Sequence, residues 1–361
     1  MSETHKSGWR SQVGRAPCAN DCGNQREIER FDTKAAADAP TARAVVAALA
    51  LALGAAPAQG EGVPSWLAYS PFQKSPGPQM GPPEAGTNSD TQANAEHDRI
   101  DTEHIFGFTM GSDIGEKGEI ELEMENVGGV GKRSGSYFAI TSLNLLKYTV
   151  TDNFRIAPGV AWGANSIVNV PGYESRTHSA LQGAVVELRY KLLDRETMPF
   201  GLTLHAQPGW NRVDETTALQ VEGYGSEFAL LADKEIITDQ LWTAVNLWYG
   251  LAASKDARGG NGWSRGSDLE LHGALSMRLT PTLVMGGEIR YLRAYEGMGL
   301  NTFEGEALLL GPTFWWNVAR NVGLSGTVNF QVAGNAAGGS GPLDLDNYER
   351  IQAMLRFNAH F

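Results

Sequence analysis

The last twelve residues of the chain, RIQAMLRFNAHF (Arg350–Phe361), decide the fold. Of the six even-numbered residues from Arg350 to His360, only Met354 is apolar. Successive side chains of a β-strand point to opposite faces, so this alternation predicts a strand with one apolar and one polar face, closed by phenylalanine. Counted back from the end, every second residue is apolar: Phe361, Ala359, Phe357, Leu355, Ala353 and Ile351.

The same alternation recurs through most of the chain. Regular structure is predicted to begin near Ile100. The segment EIELEMEN (119–126) places Ile120, Leu122 and Met124 on one face and four glutamates on the other. About twelve such segments follow one another to the end of the chain. The 43 glycines argue against long helices, because an interior glycine costs up to about 1 kcal/mol relative to alanine. The pattern therefore predicts an all-β protein.

The connections between these segments alternate in length. Those at 151–153, 194–199, 238–239, 280–281 and 319–321 are short, whereas the intervening ones are longer and rich in glycine. A regular alternation of short and long connections is typical of an up-and-down antiparallel β-barrel. An even number of strands also places both ends of the barrel on the same side.

Hydropathy alone does not separate a membrane barrel from a soluble sheet protein. The mean hydropathy is −0.26, a soluble-looking value that alternating lipid-facing and lumen-facing residues also produce. A soluble sandwich or propeller would carry polar residues outside, whereas a sheet can span lipid only if it closes on itself. Aromatic residues at the ends of the apolar faces favour the transmembrane barrel: Trp162, Trp210, Tyr249, Tyr291, Trp315, Trp316, Phe357 and Phe361.

The terminal strand resembles the signal that the outer-membrane barrel assembly machinery reads, with Phe357 and Phe361 as its aromatic positions. Ala359 departs from it, because a larger apolar residue is more usual there. Residues 100–361 as a whole resemble the transmembrane β-barrel porins and related channels of Gram-negative bacteria, without the motif of any one family. The resemblance implies the cell outer membrane, contact with lipid and lipopolysaccharide, both barrel ends in the periplasm, and small solutes as partners.

A secretory leader is expected before the barrel. The apolar run AVVAALALALGAA (residues 44–56) follows Arg43 and precedes APAQG, so cleavage is predicted after Ala58. A buried helix is the alternative. Residues 1–43 are longer and more acidic than an ordinary leader, which favours a start codon placed too early over an extended leader. Residues 1–58 form this leader and include both cysteines of the chain.

Residues 59–99 are predicted to be a disordered periplasmic linker. The stretch is rich in proline, glycine, asparagine and serine and has no apolar period. The barrel is therefore expected to occupy residues 100–361.

The faces opposite the apolar ones should line the barrel interior. Acidic residues concentrate on the first strand and basic residues on the last, and these strands are neighbours in a closed barrel. Two interpretations stay open: a charged constriction that selects solutes, or an ion-pair network that fills a narrow lumen. The residues expected to line the lumen are Glu119, Glu121, Glu123, Glu125, Arg155, Glu187, Arg189, Glu270, His272, Arg278, Glu288, Arg290, Arg350 and Arg356.

Three further features bear on the lumen. Trp242 and Trp248 are expected to face inward and could narrow the pore or guide an aromatic or lipid-like solute. Either KDARGGNGWSRG (255–266) or NAAGGSGPLDLD (335–346) could fold inward. A strand irregularity is expected in EALLLGPTFWW (306–316), near Pro312.

The sequence favours a channel for passive uptake or efflux of small solutes. The alternatives are a non-transporting structural, receptor or adhesion barrel and, third, a lipid-modifying enzyme. No catalytic group is predicted, because Ser226 in GYGSE lacks the nucleophile elbow and GVGKRS fails the phosphate-loop spacing. No metal site or cofactor is predicted either, and a net charge of −12 argues against nucleic acid as a partner. The pattern leaves the oligomeric state open.

Overall fold

The structure, a computed structural model, describes residues 100–259, 262–339 and 341–361, so the expected leader and linker lie outside the described residues. Twelve strands of 10 to 18 residues account for nearly all of the regular structure there. They are β1 Ile120–Val130, β2 Ser136–Thr151, β3 Phe154–Val168, β4 Arg176–Leu193, β5 Gly201–Val213, β6 Gln220–Ile237, β7 Leu241–Asp256, β8 Ser264–Thr280, β9 Leu283–Glu296, β10 Thr302–Ala319, β11 Val322–Ala336 and β12 Ile351–His360.

The strands form one closed barrel, which confirms the predicted fold class. Each strand pairs antiparallel with its neighbour in sequence, and β1 pairs with β12 to close the sheet. In this seam Glu125 lies opposite Arg356 and Glu121 lies opposite His360. Closure leaves no edge strand, so every ladder is paired on both sides as a membrane-spanning sheet requires. Ten of the twelve strands exceed the roughly 9–11 residues that one tilted span needs, and β1 and β12, with 11 and 10 residues, match it.

The two ends of the barrel differ. At the short-turn end, the strands are joined through 152–153, 194–200, 238–240, 281–282 and 320–321. At the long-loop end, the joining segments include 169–175, 257–263 and 337–350. The start of β1 and the last residue, Phe361, lie together at the short-turn end, where the Phe361 N–H donates to the Ile120 carbonyl oxygen at 2.8 Å. The expected alternation of short and long connections is present only in part, because 194–200 at the short-turn end is as long as 169–175 and 257–263 and longer than 131–135 and 297–301 at the long-loop end.

The outer surface of the barrel is apolar and its interior is polar. Leu146, Trp162 and Val245 each expose about half of their surface, at 52%, 53% and 53%. Asn246, Gln352 and Arg356, by contrast, are fully buried inside the barrel. This distribution is the reverse of a soluble sandwich or propeller, and it is what a barrel surrounded by lipid presents. Within the described part of the chain, no helix is long and apolar enough to cross a membrane.

Residues 101–115, here called the plug segment, lie inside the barrel rather than leading directly into the first strand. A short 3₁₀ turn at Thr102–His104 is capped by Asp101, whose side chain accepts the Glu103 N–H. Gly107 has φ +84°, and a Cβ on Gly111 would lie 2.3 Å from the Thr102 carbonyl oxygen. The chain therefore turns back on itself and returns against its own entering part, which only glycine allows at that approach.

Loop 337–350 folds inward at the long-loop end. Asp344, Tyr348 and Glu349 are buried there, and Asn347 donates to the Glu304 carbonyl oxygen at 3.1 Å. This loop is one of the two loops expected to fold inward. The described residues at 257–259 and 262–263 of the other loop are exposed.

The expected irregularity near Pro312 occurs in the partner strand. The ladder between β10 and β11 shifts between Leu308 and Leu309, where β11 skips from Ala333 to Gln331. Val332 is thus the additional residue, and Pro312 stays on the outward face. Because this shift lies in β11, the inward and outward assignment along β10 is preserved from Glu306 to Trp316, whereas β10 has irregularities of its own at Phe303/Gly305 and Asn317/Ala319.

Candidate functional site

Most residues expected to line the lumen lie buried inside the barrel. Glu119 and Arg278 are half-buried near the short-turn end. Arg350 departs from the expectation: it is exposed just before β12, and the buried Glu349 takes the inward position. Alternation does not extend to Arg350 because it precedes the strand. The buried residues are Glu121, Glu123, Glu125, Arg155, Glu187, Arg189, Glu270, His272, Glu288, Arg290 and Arg356.

Glu103 of the plug segment is the centre of the charge network. Arg155 binds it through two nitrogens, with Nη1 2.5 Å from Oε2 and Nη2 2.7 Å from Oε1. Arg189 Nη1 and Lys147 Nζ lie 3.0 and 2.8 Å from Oε1. Burial alone would raise the pKa of Glu103, but Arg155, Arg189 and Lys147 outweigh burial and hold this pKa well below its usual value. Glu103 therefore joins the plug segment to three successive strands as an anion.

Lys147 carries the network from the plug segment to β1. Its Nζ lies 2.7 Å from Glu123 Oε2 and 3.2 Å from Glu121 Oε1. His104 Nε2 is 3.0 Å from the same Glu121 oxygen, and candidate ligand atoms of His104, Glu121 and Glu123 all fall within 4.8 Å of one another. That spacing would suit a metal ion. However, the Lys147 ammonium already contacts both carboxylates, so it supplies the positive charge that a metal ion would bring.

The charged seam between β1 and β12 is only partly as the sequence predicts. Arg356 bonds Glu125 across the seam, and its Nε lies 3.5 Å from Glu123 Oε2. Glu121, in contrast, is compensated by Lys147 of β2 and His104 of the plug segment rather than by β12. The interior is therefore an ion-pair network in its short-turn half, and the plug segment completes it.

The sequence reasoning missed Glu103 and His104 because the stretch TEHIFGFTMGSDIG (102–115) has no period of two. One signal was available. The stretch is rich in large apolar residues but contains neither a strand pattern nor a helix pattern, and Ile105, Phe106 and Ile114 are fully buried. An apolar, aperiodic segment directly before a barrel strand needs somewhere to be buried, and the lumen provides it.

The tip of the plug segment is bound by side chains from the opposite wall. Glu288 of β9 accepts the N–H groups of Phe108 at 3.2 Å and Thr109 at 2.9 Å. The Asn246 side chain on β7 accepts from the Met110 N–H at 2.7 Å and donates to the Met110 carbonyl oxygen at 2.8 Å. These bonds satisfy backbone groups that no strand pairs, so the walls and the plug segment fit one defined arrangement.

A cavity lies between the plug tip and the long-loop end. It offers about 120 Å³ of room for the centres of water-sized molecules. Phe108 lines it from the plug segment and Glu349 lines it from the inward-folded loop. One wall is apolar, with Leu143 and Ala161. Other lining side chains are charged or polar: Glu125, Gln182, Gln207, Asn211, Glu227, Asp268, Glu270, His272, Arg290 and Gln352.

Trp242 and Trp248 both face the interior. Trp242 lies in the short-turn half, with the Arg278 guanidinium 5.5 Å from its ring centroid. Trp248 lines the cavity, and its ring centroid is 6.2 Å from that of His272 and 5.0 Å from that of His205. Of the two tryptophans, only Trp248 can meet a molecule in the cavity.

Ser226, the serine considered as a nucleophile, does not line the cavity. It shares the outward face of β6 with the exposed Tyr224 and Phe228. On that face it would meet lipid tails rather than an interior histidine or carboxylate. The geometry at Ser226 therefore offers no base to activate it.

Comparison with known proteins gives a family but no activity. Residues 98–361 match the model described as "Family of unknown function (DUF6662)". No curated protein matches the chain. Several solved structures are similar. An outer membrane channel from Pseudomonas putida F1 is 13% identical, with 69% of this chain and 97% of that chain covered and a TM-score of 0.49.

Two further solved structures have similar coverage. The NanC porin is 10% identical, with 67% of this chain and 98% of that chain covered and a TM-score of 0.36. The translocator domain of the autotransporter NalP from Neisseria meningitidis is 13% identical, with 69% and 90% covered and a TM-score of 0.40.

Proposed function

This chain belongs to the DUF6662 family, whose function is unknown, and from the geometry of its interior we propose that it is a gated outer-membrane channel for small solutes. The observation that carries the proposal is the cavity bounded by the plug segment. A solute can occupy the space beyond Phe108, and the plug segment must shift before the solute passes the short-turn end. The transport that we propose is passive.

The proposed location is the outer membrane of a Gram-negative cell. The apolar outer surface supports contact with lipid and lipopolysaccharide, and the exposed Phe361 closing β12 supports recognition of Phe357 and Phe361 by the barrel assembly machinery. In this arrangement the short-turn end faces the periplasm and the long loops face outward. In this proposal the leader is removed after Ala58, and residues 59–99 are the linker.

The plug segment combines a buried apolar part, with Ile105, Phe106 and Ile114, and polar bonds that suit a gate. It is held by polar bonds to separate strands: Glu103 on β2 to β4, Met110 on β7 and Thr109 on β9. Each such bond can be exchanged for water when the segment moves, so release does not require the barrel to open. A charged network of this kind also holds the plug segment in one defined position when the channel is closed.

A second candidate function is a non-transporting barrel of a structural, receptor or adhesion type. The ion-pair network around Glu103 favours it, because these buried pairs fill the short-turn half of the lumen. A lipid-modifying enzyme is third, and the outward position of Ser226 gives it no support. We therefore propose no catalytic role and no cofactor.

The decisive experiment locks the plug segment to the wall. The Ser112 hydroxyl contacts the Asp233 carboxylate, so cysteines at these two positions would face each other, and the disulfide between them is verified by peptide mass before any recording. Residues 59–361 contain no cysteine, which makes Ser112→Cys/Asp233→Cys a clean pair. We expect single-channel current in planar bilayers to be absent in the oxidised protein and to appear after reduction with dithiothreitol.

The single variants Ser112→Cys and Asp233→Cys, treated with the same oxidant, are the controls, and both should conduct. Reversal potentials in a salt gradient then report the charge preference. Equal currents before and after reduction would show that the plug segment is no gate. A folded barrel that carries no current in any of these forms would leave the non-transporting barrel as the function.

A further inference from the structure

Four basic side chains lie on the outer surface of the barrel close to the long-loop end. Arg212 is the next-to-last residue of β5, Lys255 is the next-to-last of β7 and Arg265 is the second of β8. Arg293 lies three residues before the end of β9. In the same strand order, each shares its face with an exposed apolar residue: Trp210, Leu247, Leu271 and Ile289. The four cations therefore point away from the lumen.

The outward surface at the opposite end of the barrel has fewer cations. Of the described strand residues near the short-turn end, Lys234 of β6 is the only basic one that is exposed. In the proposed orientation the long-loop end lies in the outer leaflet, whose headgroup layer carries the phosphates of lipopolysaccharide. The asymmetry of the basic residues therefore matches the asymmetry of the membrane.

Two of the four cations are paired within the protein. Lys255 Nζ lies 2.7 Å from Glu222 Oε2 and 5.0 Å from the centroid of the Trp263 ring. Arg293 Nε lies 3.5 Å from Glu306 Oε2. These carboxylates compensate two of the charges, so the other two cations carry the remaining positive charge of this face.

Arg212 and Arg265 are exposed, and in the described part of the chain their guanidinium groups have neither an ion pair nor a hydrogen bond. A guanidinium is planar, and its paired N–H donors match a phosphate group. Their strands, β5 and β8, are three strand spacings apart, about 14 Å, and Lys255 of β7 lies between them. Arg212, Lys255 and Arg265, here called the basic patch, therefore span enough surface for a headgroup with more than one phosphate.

An apolar hollow lies on the same outward surface, nearer the middle of the barrel. Its lining includes Phe228 and Leu230 of β6, Leu247 of β7 and Leu269 of β8. Leu269 is four residues along β8 from Arg265, about 13 Å away and farther from the long-loop end. Exposed apolar residues at this depth contact acyl chains. A lipid whose headgroup lies at the basic patch therefore has its chains over the hollow.

We propose that the basic patch binds the phosphates of one lipopolysaccharide molecule while an acyl chain of the same molecule lies in the hollow. The proposal rests on the outer-membrane location proposed above and goes beyond the channel function. The lipid A part of lipopolysaccharide carries two phosphates on one headgroup, which a patch about 14 Å wide can contact together. A glycerophospholipid carries one phosphate and leaves one of the two guanidinium groups without an anion.

The test measures lipid binding by the full chain, produced in a Gram-negative host and purified in detergent. Diphosphoryl lipid A is the probe, and lipid A without its phosphates, which has the same acyl chains, is the control ligand. Native mass spectrometry of a titration counts the lipids bound per barrel. We expect one diphosphoryl lipid A to bind saturably, at least about tenfold more tightly than the dephosphorylated form.

Arg212→Gln/Arg265→Gln removes the two unpaired cations and should weaken binding of diphosphoryl lipid A at least about tenfold. The matched control is Lys234→Gln/Arg320→Gln, which removes two exposed cations near the short-turn end and should bind like the unmodified protein. The gel-mobility shift on heating verifies that both variants are folded. Dephosphorylated lipid A should bind equally to all three proteins, because the acyl-chain contacts are unchanged.

Equal affinities of the two double variants for diphosphoryl lipid A would overturn the proposal. So would equally tight binding of phosphatidylglycerol, or displacement of lipid A by excess inorganic phosphate. A dimer that only the Arg212→Gln/Arg265→Gln variant loses would assign the surface to a second copy of this chain instead. These readouts do not depend on current. Conduction without lipid A binding would therefore remove this site and leave the channel, whereas lipid A binding by a barrel that never conducts would do the reverse.

Discussion

Arg155 on β3 binds Glu103 of the plug segment through both of its terminal nitrogens, at 2.5 and 2.7 Å. Both side chains are almost completely buried. A two-point bond between a guanidinium and a carboxylate fixes direction as well as distance. The strongest connection between the barrel wall and the plug segment is therefore also the one that sets its position.

Glu103→Gln should release the plug segment. The change leaves Arg155, Arg189 and Lys147 beside a neutral side chain, and breaking a buried pair from one side costs about 3–5 kcal/mol. Hydrogen exchange at residues 103–112 should accelerate at least about a hundredfold, and conductance should rise. Glu116→Gln, at an exposed position in the same connection, is the control. Unchanged exchange in Glu103→Gln would contradict this account.

Closure should depend on pH through Asp101. Burial raises the pKa of Asp101 to about 6, with His104 acting in the opposite direction. A raised carboxyl pKa means that the docked plug segment holds a proton that the free segment loses, so docking is strongest at low pH and weakens as pH rises through about 6. When Asp101 loses its proton, its negative charge lies near the carboxylates of Glu103, Asp113 and Glu121, which also raise the pKa of Asp101.

Open probability should thus increase between pH 5 and pH 7.5 in bilayer recordings. Asp101→Asn retains a side-chain acceptor for the Glu103 N–H, which Asp101 now accepts at 2.8 Å, but it cannot titrate. The variant should show a flatter pH response. A response as steep as that of the unmodified protein would assign the pH dependence to another group.

Arg356 and Glu125 should behave as one unit in the seam. Arg356→Gln leaves Glu125 buried without its main partner and should lower the free energy of unfolding by about 3–5 kcal/mol. Glu125→Gln/Arg356→Gln should recover a large part of that loss, because neither charge then remains. Urea unfolding of refolded barrels, followed by the gel-mobility shift on heating, measures both. Additive losses in the double variant would mean that the two residues do not interact.

Gly183 should be a glycine that the barrel wall cannot replace. A Cβ there would lie 2.1 Å from the Trp210 carbonyl oxygen, a backbone atom of the neighbouring strand β5. Gly183→Ala should therefore destabilise the barrel by about 1–3 kcal/mol, as overpacking does. At Gly273 a Cβ would meet only Ile289 Cγ2, at an ordinary 3.5 Å, and Gly273→Ala should be close to neutral. Equal unfolding midpoints for the two variants would refute the prediction.

Much of the barrel could be predicted from the sequence because a strand with two different faces has a local signature. The period of two around Glu121, Glu123 and Glu125 predicts their inward position, and the structure buries all three. The same rule fails for Arg350, which stands just outside β12 and is exposed. A period describes only residues that share a strand, so positions at strand ends depend on the loop that precedes them.

The sequence by itself determined the twelve strands, their antiparallel order and the lipid-facing exterior, since each follows from neighbours within one segment. The tertiary structure alone decided that residues 101–115 return into the lumen, that Glu103 meets Arg155 and Arg189, and that Trp248 and His272 share a cavity. These relationships join residues far apart in the chain. Their geometry depends on how many strands close the barrel and in which register, which no local period contains.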